Sequence, residues 1–254
     1  CSTHAYLLFF TDKGKVYRLR VYEIPEGSRQ ARGLPLVNLL PLDREAITAI
    51  IPVRDFGKGY LFMATAQGLV KRTALSEFAA SRREGLIAVL LGQQDTLVGV
   101  EVTGGDDELM LVSAAGLLIR FREKEVRSVG RLARGVKGME VAADDRVVAL
   151  VRPADAQDLL VVTEQGFGKR TALDAYRRQS RGGRGILTLR SDLRRGRVVA
   201  AKAVKEEDEI LLISTEGEVI RLAVREIPRQ GRTSQGVTLM RLAEGEKIAA
   251  LALA

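Results

Sequence analysis

Apolar residues along this chain fall into short runs broken by Gly, Asp and Glu, and amphipathic helical spacing over ten or more residues is missing. Between residues 105 and 154 the runs are ELMLVS (108–113), LLIRF (117–121), VKGMEV (136–141) and RVVALV (146–151). Near the C-terminus they are EILLIS, EVIRLA, VTLMRL and KIAALALA. Short runs rich in Val, Ile and Leu and bounded by turn formers read as β-strands. Residues 173–178 are a weak helical candidate. In the second run of each set, Ile119 and Phe121 oppose Arg120 and Arg122, and Ile220 and Leu222 oppose Arg221. A period of two places those arginines on the solvent side of a strand.

The runs recur. Turns DKG, AQG, AAG, EQG and TEG join the first run to the second, and their glycines, Gly14, Gly68, Gly116, Gly166 and Gly217, lie 54, 48, 50 and 51 residues apart. Glycine in the last turn position reaches positive φ without steric penalty, as a tight hairpin requires. Arg18, Arg72, Arg120, Arg170 and Arg221 follow at a fixed distance. A second set of glycines, Gly33, Gly85, Gly135, Gly185 and Gly236, comes 15, 13, 15, 15 and 15 residues after those arginines. An acid followed by a large apolar residue recurs as Glu23-Ile24, Glu77-Phe78, Glu125-Val126 and Glu226-Ile227; the fourth copy has Ala175-Tyr176.

A period near 50 residues marks an array in which no unit buries its apolar face alone. The units run about 1–55, 56–104, 105–154, 155–205 and 206–254, and a continuous repeat makes residues 1–254 one domain. Each unit has four strand runs and one polar arm, at 23–33, 77–85, 125–135, 175–185 and 226–236. Five such units predict an all-β, propeller-like radial array. The absence of Trp and of a WD dipeptide speaks against the commonest propeller family.

Composition narrows the chemistry. No apolar run approaches 18 residues, so no helical membrane span is expected. The opening CSTHAYLLFF has no initiator Met and no charged n-region, so it reads as the start of a piece cut from a longer chain, not as a signal peptide. Cys1 alone cannot form an internal disulfide, and a single histidine, His4, leaves no His-based metal or acid–base site. No G-x-x-x-x-G-K-[ST] loop, metal-ligand spacing or Ser/His/Asp set is present, so neither catalysis nor a cofactor is expected. The excess of 40 Lys+Arg over 32 Asp+Glu gives +8 and a pI near 9.8, which leans toward a polyanionic partner.

Four stretches identify a relative. STHAYLLFFTDKGKVYRLRVYEIPEGSRQARG, PLVNLLPL, LFMATAQGLVKRTALSEF and LLVVTEQGFGKRTALDAY resemble the C-terminal domain of the A subunit of bacterial type IIA DNA topoisomerases, specifically DNA gyrase, and the resemblance covers the whole chain. It implies a β-pinwheel of four-stranded blades that exchange a strand with a neighbour, and duplex DNA bent around the rim. It also implies that the strand-cleaving tyrosine lies upstream and that the partner B subunit hydrolyses ATP, so that this part does neither. Partners implied are duplex DNA, the B subunit and the rest of the A subunit, in a bacterial cytoplasm. Gyrase members carry a box, typically QRRGGKG, in the first blade. Gln179-Ser180-Arg181-Gly182-Gly183-Arg184-Gly185 keeps five of those seven positions. The family's principal box lies upstream of the segment resembling CSTHAYLLFF, so the chain is expected to lack the first blade and QSRGGRG to be a secondary copy.

The arms supply the cations for such a partner. The candidate DNA contacts are Arg29 and Arg32; Arg82 and Arg83; Arg127, Arg131 and Arg134; Arg177, Arg178, Arg181 and Arg184; Arg229 and Arg232; with Lys71, Arg72, Lys169 and Arg170 from the strands. The fourth arm is richest, and glycines beside its arginines would let backbone N–H groups approach phosphate oxygens. The strand arginines have a plainer alternative, salt bridges to the acids five residues on. Phe9, Phe10, Phe62 and Phe121 sit in strand runs and read as core, not as base-stacking platforms. Two further readings stay open: the corresponding domain of topoisomerase IV, and a propeller used for protein recognition with its charge merely solubilising.

Overall fold

The computed structural model describes residues 2–28, 33–80, 85–190, 192 and 194–254, so Arg29, Arg32, Arg82 and Arg83 lie outside the described residues. Along the chain the strands are β1 (Tyr6–Thr11), β2 (Lys15–Arg20), β3 (Ile47–Val53), β4 (Tyr60–Thr65), β5 (Leu69–Ala74), β6 (Leu86–Ile87), β7 (Leu97–Thr103), β8 (Glu108–Ser113), β9 (Leu117–Arg122) and β10 (Val136–Lys137). They continue as β11 (Val147–Val151), β12 (Asp158–Thr163), β13 (Phe167–Ala172), β14 (Ile186–Leu187), β15 (Val198–Val204), β16 (Glu209–Ser214), β17 (Val219–Ala223), β18 (Val237–Thr238) and β19 (Ile248–Leu253). Helical structure among the described residues is limited to 3-10 turns, and the weak helical candidate at 173–178 is one of them, Leu173–Ala175.

Two compact units result. The first comprises Cys1–Thr65, Leu69–Gly105 and Val126–Val136; the second comprises Ala66–Gly68, Asp106–Glu125 and Lys137–Ala254. In the first unit lie the antiparallel sheets β3-β1-β2-β6 and β10-β5-β4-β7. In the second lie β11-β8-β9-β14, β15-β12-β13-β18 and the three-stranded β17-β16-β19. The hairpin reading of the first two runs holds in all five copies. A hydroxyl finishes each hairpin: Thr11, Thr65, Ser113, Thr163 and Ser214 accept the amide four residues on, at 3.1 to 3.3 Å.

Sheets within a unit pack face to face. Leu159 and Val161 of β12 pack with Met110, Val112 and Ala149, whereas Leu160 and Val162 pack with Ile210, Leu212 and Ile248. The middle strand is therefore buried on both sides, which is why DLLVVT is almost continuously apolar. In the first unit Leu8 and Phe10 meet Leu61 and Met63 in the same way. Burial on both faces also corrects the expectation that the repeated arginines face solvent at Arg170, which is buried, and at Arg120, which is half-buried, whereas Arg221 is exposed.

The third run of the second to fifth copies is shorter than its apolar stretch and joins the sheet of the preceding copy. Strands β6, β10, β14 and β18 have two residues each and pair with β2, β5, β9 and β13. Ala88, Gly138, Thr188 and Leu239 donate their amides to Gly14, Gly68, Gly116 and Gly166 oxygens, each at 2.8 Å. A Cβ on any of those four glycines would stand within 3.0 Å of a backbone oxygen of the incoming strand, Val89, Met139, Leu189 or Met240. The periodic glycine thus makes the turn and admits the donated strand. Gly217, in the three-stranded sheet, has nothing within 4 Å of such a Cβ, and Val219 beside it is 54% exposed.

Candidate nucleic-acid interface

The third, fourth and fifth arms each leave a sheet through a 3-10 turn, Glu123–Glu125, Leu173–Ala175 or Val224–Glu226, and lead into the two-residue strands β10, β14 and β18 that they donate. Three arm arginines act as staples to residues of donated strands. Arg131 Nη1 donates to Ile87 O (3.2 Å), Arg181 Nη1 to Lys137 O (2.8 Å) and Arg232 Nη1 to Leu187 O (3.2 Å). The recurring acid holds the next arm: Glu77 and Glu125 accept the amides of Arg131 and Arg181, each at 3.1 Å. Arg120 and Arg221 do not take the plainer alternative of pairing with Glu125 and Glu226 five residues on.

Three of the strand arginines reach back across their own hairpin instead. Arg120 pairs with Glu108, Arg170 with Asp158 and Arg221 with Glu209. Register explains the choice: Arg120 stands opposite Met110 and Arg122 opposite Glu108, so Glu108 is the diagonal neighbour of Arg120. Glu108 also binds Arg178 of the fourth arm. Burial would push its carboxyl up, but hydrogen bonds from Arg120 and Arg178 outweigh burial and hold it below the ordinary range. Asp158, 2% exposed, joins Arg170 at 3.2 Å to Arg229 of the fifth arm at 2.7 Å.

These contacts sort the candidate cations. Lys71, Lys169 and Arg170 are buried, and Arg72 donates to Gly105 O (3.1 Å) with its guanidinium 4.6 Å from the Tyr60 ring centre. The three buried side chains are committed inside the fold, which corrects their reading as direct phosphate contacts, whereas Arg72 is half-buried. Arg131, Arg181 and Arg232 are half-buried staples, and Arg178 and Arg229 are ion-paired. Arg127, Arg134 and Arg177 are exposed and form no ion pair or hydrogen bond among the described residues. Arg184 joins them with a side chain 80% exposed and a 3.3 Å contact to Glu140.

The motif at 179–185 is held by its backbone. Gln179 N donates to Arg120 O (2.8 Å), Gly182 N to Gly138 O (2.6 Å), and Gly183 O accepts from Glu140 N (2.9 Å). The Gly182 amide is thus committed inside the protein, against the expectation that it meets phosphate. Gly185, at φ 81°, lies against Leu118 O where the arm enters its donated strand. Ser180 and Arg184 are the motif's exposed side chains. Lys137, Arg190 and Arg225 are exposed on or beside arms and were not singled out from the sequence; their signal is position, on or next to a donated strand or 3-10 turn.

Among the described residues no group of three or more His, Cys, Asp and Glu could hold a metal, and no helix is long and apolar enough to cross a membrane. The family described as DNA gyrase C-terminal domain, beta-propeller, matches residues 5–54, 59–103, 107–153, 157–205 and 208–254. The chain belongs to this family. Gyrase C-terminal domains of this kind are the non-catalytic, DNA-wrapping part of a type II topoisomerase. The A subunit of DNA gyrase from Salmonella typhimurium is 48% identical over 98% of the chain, and that from Escherichia coli K12 is 44% identical over the same share. The chain spans 29% of the length of those relatives. A solved DNA gyrase A C-terminal domain has TM-score 0.87 and 29% identity, covering 100% of this chain and 83% of that one. The C-terminal domain of a DNA topoisomerase IV has TM-score 0.90 and 30% identity, covering 99% and 79%.

Proposed function

We propose that this gyrase-family domain binds duplex DNA with little sequence preference and bends it along its arms, without catalysis or a cofactor of its own. In the intact protein it would work beside the gyrase B subunit and the remainder of the A subunit, in a bacterial cytoplasm on nucleoid DNA. One observation carries the reading: the arms are fixed by staples and donated strands while Arg127, Arg134, Arg177 and Arg184 remain outward. Turning about 40 base pairs through about half a circle costs on the order of 10 kcal/mol. Each phosphate neutralised near physiological salt returns roughly 1 kcal/mol through counterion release, so about ten contacts suffice. The exposed and ion-paired arm cations come near that number.

The test is a salt titration of affinity for a random-sequence duplex. Expected is a fall of about 10³ to 10⁵ between about 50 and 200 mM salt, the signature of roughly six to ten phosphate contacts. A flat curve over that range contradicts the proposal and favours a protein-recognition surface. The likeness to the topoisomerase IV domain supports a second reading, DNA contact without wrapping, which the linking number separates from the first.

A further inference from the structure

Two lysines lie beneath the arms. Lys71 in β5 and Lys169 in β13 sit three residues past their turn glycines, where the other copies have Tyr17, Ile119 and Ile220. They are 1% and 0% exposed. Lys71 Nζ donates to Ala88 O (2.7 Å), just past β6, and to Arg131 O and Ala133 O (3.3 Å) in the third arm. Lys169 Nζ donates to Gly231 O, Arg232 O (2.8 Å) and Ser234 Oγ (3.0 Å) in the fifth arm. Neither forms an ion pair among the described residues. An ammonium buried without a carboxylate is unfavourable, and Ile119 shows that an apolar side chain fills the same place.

We propose that Lys71 and Lys169 are positioning residues for DNA: each ammonium gathers arm oxygens inward, two of the third arm for Lys71 and three of the fifth for Lys169, and thereby fixes the arginines of that arm toward phosphate. The proposal rests on the DNA-binding reading above. Three N–H donors meet three acceptors in each case, and oxygens held by a buried ammonium are not presented to an approaching phosphate. An amine has two N–H donors, so loss of one proton leaves an arm oxygen unpaired and loosens the arm.

The groups facing each lysine are few. Around Lys71, Glu77 favours the ammonium, Arg131 opposes it, and Arg127 and Arg134 line the adjoining cleft. Around Lys169 the facing charge is Arg232. Burial, with those arginines adding to it, pushes both lysines down to about 8. The folded pKa lies below the ordinary 10.5, so between the two values the unfolded chain binds more protons. The contribution of these two lysines to global stability therefore rises from about pH 8 to about pH 10.5. The arm clamp weakens over the same range. A lysine with a merely structural role would not make DNA affinity fall while its contribution to stability climbs.

The experiment measures affinity for a duplex of about 40 base pairs at constant ionic strength, from about pH 7 to about pH 9, for the wild-type chain and the Lys71→Met/Lys169→Met variant. Wild-type affinity is expected to drop on the order of tenfold with a midpoint near 8, the variant starting at the lower level and staying flat. A flat wild-type profile, or a variant with the wild-type fall, overturns the proposal. Should the variant fail to fold, hydrogen exchange on the wild type decides. Protection at 129–135 and 230–236, corrected for intrinsic rates, should drop above about pH 8 while β5 and β13 keep theirs. Unchanged protection in the arms overturns the clamp. A chain that loses arm protection on schedule but binds DNA at no pH keeps the clamp and removes the DNA reading.

Discussion

Replacing Arg127, Arg134, Arg177 and Arg184 together by glutamine lowers affinity for a random-sequence duplex roughly a thousandfold near physiological salt. The log–log salt slope becomes shallower by about 3.6, because each lost phosphate contact removes about 0.9. Thermal stability stays within about 1 kcal/mol of wild type, since these side chains lie outside the packing and only Arg184 touches an acid. Gel-shift titrations over a salt series, paired with a melting curve, check both halves. Arg170→Gln should behave in the opposite way, because its guanidinium ties Asp158, Glu206 and Ile227 O together inside the fold. It should cost stability and leave the salt slope alone. A quadruple variant with wild-type affinity would remove the arms from the interface.

The second large effect concerns the donated strands. Gly116→Ala is expected to destabilise the second unit by about 3 kcal/mol: about 1 to 2 for a side chain at positive φ, and the rest from hydrogen bonds lost as the new Cβ displaces Leu189. Gly217→Ala, at nearly the same φ but facing open space, should cost only about 1 kcal/mol. Urea denaturation of the two variants side by side measures the difference. Equal losses would mean that the strand entering over Gly116 contributes little.

That comparison also shows why so much of the fold was legible in the sequence. The turn glycines recur because two backbones meet over them, a constraint no other residue satisfies at Gly14, Gly68, Gly116 or Gly166. The hairpins could be read because their apolar residues are buried by sheets on both sides. The donated strands were legible only as longer apolar runs such as VKGMEV and VTLMRL, because a two-residue pairing carries no periodicity and its partner lies about seventy residues away.

The site was legible in outline only. Residue type marked the arms as basic but could not divide Arg127, Arg134 and Arg177 from Arg131, Arg181 and Arg232, since stapling depends on which carbonyl lies beside each guanidinium. The buried lysines did leave a signal. Lys71 and Lys169 fall in the repeat where Ile119 and Ile220 fall, an inward position, and charge alone made them look like surface contacts. The partner acids were misplaced because spacing points forward along the chain, whereas the hairpin brings Glu108, Asp158 and Glu209 from behind.

The bending of DNA by this domain is tested most directly by topology. A nicked plasmid is bound by the domain at low salt, sealed by ligase and stripped of protein, and its topoisomers are resolved. The account predicts a shift of linking number in one direction that grows with the number of domains bound per plasmid and vanishes when salt releases them. An unchanged topoisomer distribution at an occupancy proven by gel shift would contradict it.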